Sequence, residues 1–224
     1  MNKKNLTFIA LFLVFGVFTS QINFAAILGA EGQHFTLFQF FAPIAGAFLG
    51  FIGIGLVLLT ELINHTVMGK EFILLNIIRL FPLLFATYYF SKVRKAWFGV
   101  AVPVAAMILF WLHPTGQAAW PYALLWLVPI VAVFFPSVLA RSFGATFTAH
   151  AVGSVTWLYT VPMEAGVWIG LIPTVLYERT LFALGIAGSY WIMNVMLHYV
   201  NERWDVPILQ LGKLPLWVKN LVIR

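Results

Sequence analysis

Apolar runs near the ~20 residues that a helix needs to cross ~30 Å of hydrocarbon follow one another along this chain, broken only by short polar stretches. Inside lipid every backbone N–H and C=O must find a partner within the protein, so only helices and closed barrels can span. The weak alternation of barrel strands is missing. The expected fold is therefore all-α, a polytopic membrane helical bundle of one domain. Apolar residues make up 62% of the 224, against roughly 45–50% in soluble domains. A net charge of +6 would suggest nucleic acid in a soluble protein. Here the basic residues sit in loops and the tail, as topogenic charge does, and no nucleic-acid partner is expected. Without cysteine, disulfides and thiolate metal sites are excluded.

The first run, Leu6 to Phe18, follows Lys3 and Lys4 and continues past any clear cleavage site, so it reads as an uncleaved helix rather than a signal peptide. Glu31, Gly32, Gln33 and His34 form a first loop. In the run FTLFQFFAPIAGAFLGFIGIGLVLLTELI, Pro43 is expected to separate an aromatic approach from a helix proper. Ala42, Gly46 and Gly50 recur every four residues and should pack helices closely. Further spans are expected over Glu71 to Phe90, Trp97 to Leu112, Trp120 to Leu139 and Thr180 to Val200. The membrane domain then covers 1–200. Residues 201–224 form a cytoplasmic or in-plane tail, whose LGKLPLWVKNLVIR portion suits an anionic surface.

These segments amount to six or seven transmembrane spans, and positive charge has to choose between the two. With seven, Lys92, Arg94, Lys95, Arg141 and the tail lie inside, and Lys3, Lys4 and Lys70 outside. With six, residues 144–161 being re-entrant, Lys3, Lys4, Lys70 and the tail lie inside. Both put the C-terminus in the cytoplasm of a cell (plasma) membrane protein.

The stretch from Arg141 to Arg179 carries His150, Glu164, Glu178 and Arg179, and ionisable groups at membrane depth are candidates for function. Ala145, Ala149 and Gly153 share one helix face and invite a close neighbour. The turn VPMEAGVW is flanked by Trp157, Tyr159 and Trp168, rings able to stack a flat ligand or to sit at a membrane interface. The candidate substrate-binding residues are His150, Trp157, Tyr159, Glu164 and Trp168, with Gln33 and His34 of the first loop. Glu178 and Arg179 are neighbours in sequence and so point about 100° apart on a helix. Arg79 is the expected partner of Glu178, in a buried structural pair.

Catalytic groups are scarce: Asp205 is the only aspartate, and HExxH, GxSxG and GxxxxGK[ST] are absent. The histidines are scattered, one per segment. No metal or cofactor is expected, and energised transport would need another subunit or an ion gradient.

Two segments resemble the substrate-binding S components of energy-coupling factor (ECF) vitamin transporters. One is Ala42, Pro43, Ile44, Ala45, Gly46 and Gly50, with alanine where that family usually has glycine. The other is His150, Gly153, Trp157, Pro162, Glu164, Gly166 and Trp168. The resemblance implies a six-helix fold, capture of a small-molecule micronutrient, and release through a transmembrane coupling protein with ATPase subunits. It also implies a small-residue dock on the first helix, for which Gly16 and Ser20 are the available pair. The rival readings are a membrane enzyme or assembly factor acting on lipid or a membrane protein, and an ion-coupled carrier.

Overall fold

The glycine at position 50 decides how the first third of the chain runs. The computed structural model describes residues 3–26, 34–69, 71–72, 74–78 and 80–214, and is mostly helical. After α1 (Lys3–Ser20), a small antiparallel hairpin of β1 (Asn23–Ala26) and β2 (His34–Thr36) leads into α2 (Phe38–Leu49). Pro43 does not break the chain; it is buried inside α2. The break falls at Gly50, whose φ of 58° lies in the left-handed region that glycine enters without a Cβ clash. There the chain reverses into α3 (Phe51–Val67), which lies back on α2 so closely that a Cβ on Gly53 would meet the Ala45 carbonyl. One apolar run thus becomes two antiparallel helices of 12 and 17 residues. Gly50 is a turn residue facing Gln210, not the helix-packing surface expected of it.

Gly46 does pack helices, against the Thr87 backbone of α5 (Phe81–Phe90), which follows α4 (Leu74–Ile78). Next come α6 (Phe98–Leu112), α7 (Pro114–Ala118), α8 (Trp120–Ala123), a 3-10 turn (Leu124–Trp126) and α9 (Leu127–Ala132). α10 (Val138–Thr160) is capped by Ser137 Oγ, which accepts from the Ala140 N–H at 3.1 Å. It is one continuous helix of 23 residues at the centre of the bundle, so 144–161 does not loop back on itself. It touches α5, α6, α9 and the long α12 (Ile172–Trp204), which is preceded by the short α11 (Ala165–Gly170). On α10, Gly144 sits flush against the ring of Tyr89, whose hydroxyl donates to Pro129 O at 2.6 Å.

A Cβ on Gly16 would meet Thr60 at 3.0 Å and Phe38 at 3.1 Å, and both Gly16 and Ser20 are buried within the bundle. They pack the chain on itself and offer no surface to a partner. Gln21 Nε2 donates to Asn64 Oδ1 at 2.7 Å, so α1 and α3 run side by side in the same direction. It follows that α1, α3, α6 and α10 run away from one end of the bundle and α2, α4–α5, α8–α9 and α12 return to it. Lys3, Lys4, Lys92, Arg94, Lys95, Arg141, Arg203 and Lys213 gather at that end, while Glu61, Glu71 and Glu164 lie toward the other. Two helices, α1 and α12, are long and apolar enough to cross a membrane; α2, α3, α6 and Trp120–Ala132 are shorter apolar helices.

Of the expected tail, 205–214 are strapped to the bundle, while 215–224, most of the portion expected to lie in plane, are outside the described residues. Val206 is in the core, the Gln210 N–H donates to Phe48 O at 2.7 Å, and Lys92 Nζ donates to Gln210 O and Leu211 O. Burial, with the nearby Arg141 guanidinium, holds the Lys92 ammonium below its usual range. The fully buried Asn194 accepts from the Gly212 N–H at 2.8 Å. Replacing Asn194 by Ala should free this strap at a cost of about 1 to 3 kcal/mol. Hydrogen exchange at Val206–Gly212 reports it, and protection equal to wild type would contradict the anchoring role.

Candidate binding cavity

α12 begins with Pro173 at its first turn, which brings Thr174, Val175, Glu178 and Arg179 to the upper end of the bundle, away from the basic groups. Facing them are His150, Gly153, Ser154 and Trp157 on α10, Pro82 and Leu83 on α5, Tyr122 on α8 and Trp168 on α11. Phe35 of the hairpin, Gln39 and Glu61 complete a cavity of about 280 Å³. Gly153 keeps its wall low: a Cβ there would rest 3.7 Å from Pro82.

The hydrogen bonds of His150 determine its protonation. Trp126 Nε1–H donates to Nδ1 at 3.1 Å, and because an indole nitrogen can only donate, Nδ1 must hold a lone pair. In the neutral ring the proton is therefore on Nε2, 2.9 Å from the Tyr122 hydroxyl and 3.3 Å from Ser154 Oγ. Tyr122 then accepts from His150, and its own proton is left for Ser154 Oγ at 3.4 Å or for the cavity. The Trp168 ring is held edge-on by Phe110 and Tyr122 at 5.4 and 5.0 Å, and its Nε1 is buried without an acceptor among the described residues.

Glu178 and Arg179 meet each other despite their angular separation, with Nη2 3.6 Å from Oε2. Two long side chains can bend across about 100° of helix surface, which the direction of their Cα–Cβ bonds alone does not reveal. Gln33 and Arg79, the other members of the expected site and pair, lie outside the described residues. Tyr159 and Glu164 are not in this cavity: Tyr159 donates to Leu109 O at 2.8 Å, and both line a separate hollow beside His113. His34 is exposed on β2 and does not line the cavity.

Tyr122, Glu61, Gln39 and Phe35 are cavity residues that sequence reasoning passed over. Glu61 carried a readable signal, a carboxylate in an apolar run, the same feature that singled out Glu178. Among the described residues no cluster of three or more His, Asp or Glu side chains gathers as a metal site would require. What the fold and site define together is a helical bundle with a ligand-sized hollow at one end. No family model, curated protein or solved structure matches the chain.

Proposed function

We propose that this chain is a multi-pass plasma-membrane protein that captures a small micronutrient from outside the cell, as the substrate-binding S component of an ECF-type importer. The observation that carries this reading is the position of the cavity, at the end of the bundle opposite the gathered Lys and Arg side chains. Basic residues mark the cytoplasmic side, so the cavity faces outward and both the first helix and the 205–214 strap start from or return to the cytoplasm. The Gly50 reversal supports this orientation. It adds a leg to the bundle, and the even number of legs brings Lys3 and Lys4 to the same end as Lys92 and Arg203. The legs of the bundle are α1, α2, α3, α4–α5, α6, α8–α9, α10 and α12, two more than the six helices that the S-component resemblance implies.

A coupling protein with ATPase subunits would meet the basic end, since Gly16 and Ser20 are internal. The sequence contains no phosphate-binding loop of its own. The test is mass spectrometry of small molecules released on denaturing the protein purified in lipid nanodiscs. A Trp157→Ala variant should hold the released compound about tenfold more weakly, from loss of one stacking face. Equal retention by this variant would remove the cavity as the binding site. Concentrative uptake by the chain alone in liposomes, driven by a proton or sodium gradient, would replace the importer reading with a secondary carrier.

A further inference from the structure

Arg179 is 5% exposed, and among the described residues the one polar contact of its guanidinium is the 3.6 Å approach of Glu178. Its Nε is buried without an acceptor. Phe35 at 4.8 Å and Phe182 at 4.6 Å, their rings 5.0 Å apart, lie on the same side of the group, which itself lines the cavity. Trp168 Nε1–H, 2% exposed as a residue, is a second buried donor without an acceptor in the same wall. The hydroxyl proton of Tyr122, which Ser154 Oγ can accept at 3.4 Å, can turn to the cavity instead. Buried donors left unmet are costly, and a ligand with acceptor oxygens is what would satisfy both on one hollow.

Charge and size narrow the class. Neutral His150 adds no cation, so Arg179 is the one cation among the described cavity residues, and a dianionic phosphate would call for a second. Glu178 already faces Arg179, so a ligand carboxylate would share the guanidinium with it, and Glu61 is engaged within the chain. A volume of about 280 Å³ is at the lower limit of ligand pockets, ~300 to 1,000 Å³, which suits a single ring. Resting on the reading of this hollow as a ligand site, we propose that it takes a small planar monocarboxylate. The carboxylate is set among the Arg179 edge, the Trp168 N–H and the Tyr122 hydroxyl, and the flat body lies against Trp157. A planar fork of N–H donors matches a carboxylate geometrically as well as in charge.

Benzoate, benzamide and benzamidine have one shape and charges of −1, 0 and +1, and their titration into the full chain in neutral-lipid nanodiscs tests the assignment by calorimetry. Benzoate should bind at least about tenfold more tightly than the other two. Arg179→Gln should erase that advantage while leaving benzamide binding in place, and Tyr122→Phe should reduce it by a few-fold. The wild-type comparison decides by itself if Arg179→Gln fails to fold. Equal or tighter binding of benzamide or benzamidine would overturn the carboxylate assignment and leave the cavity a ligand site. No binding of any of the three up to about 10 mM, with no small molecule released from the purified protein, would overturn both.

Discussion

Leucine in place of Gly144 should lower stability by about 3 kcal/mol and cut the folded yield sharply. A Cβ at this position falls on the ring of Tyr89, a residue with nowhere to go: it is fully buried, its hydroxyl is bonded to Pro129 O, and Arg94 covers its ring at 4.8 Å. Gly46→Leu should behave alike, because there the obstruction is the Thr87 backbone carbonyl, which cannot rotate away. Gly55 and Gly188 provide the control, since a Cβ at either meets nothing within 4 Å. Leucine at those two positions should leave the melting temperature near wild type. Thermal unfolding in nanodiscs separates the two groups, and a Gly144→Leu protein as stable as Gly55→Leu would contradict the contact between α5 and α10.

Glu178→Gln is expected to destabilise by roughly 3 kcal/mol, because it leaves the buried Arg179 guanidinium without its counter-charge. The double variant Glu178→Gln with Arg179→Gln should be less damaged than the single one, the mark of a coupled pair. A double-mutant cycle that is additive would mean that the 3.6 Å approach carries no energy. Benzoate offers a second readout: if it supplies the missing negative charge, it should raise the melting temperature of Glu178→Gln by more than that of wild type.

Parity and neighbourhood in this chain rest on particular residues rather than on hydropathy. A proline inside an apolar run reads locally as a breaker, yet Pro43 is accommodated within α2 and Gly50 turns the chain. A small residue at four-residue spacing looks the same whether it packs a helix or permits a positive φ, and only the path of α3 separates Gly46 from Gly50. Once that reversal is placed, the arithmetic of the basic residues changes. Neither topology weighed from sequence puts Lys3, Lys4, Lys92 and Arg94 at one end, whereas the folded chain does.

Composition and run length by themselves determined the helical class, the part of the chain in which His150, Trp157 and Trp168 gather, and the interest of Glu178 and Arg179, because burial of apolar faces and the cost of buried charge are legible one residue at a time. The tertiary structure alone decided what those residues touch. Trp126 fixes the proton of His150 from 24 positions away along the chain, Phe35 and Phe182 reach the Arg179 guanidinium from two different elements, and Tyr159 and Glu164 turn to another hollow. Those contacts are set by the crossing of helices distant in sequence, and local pattern contains the faces of each helix but not the partner each face will meet.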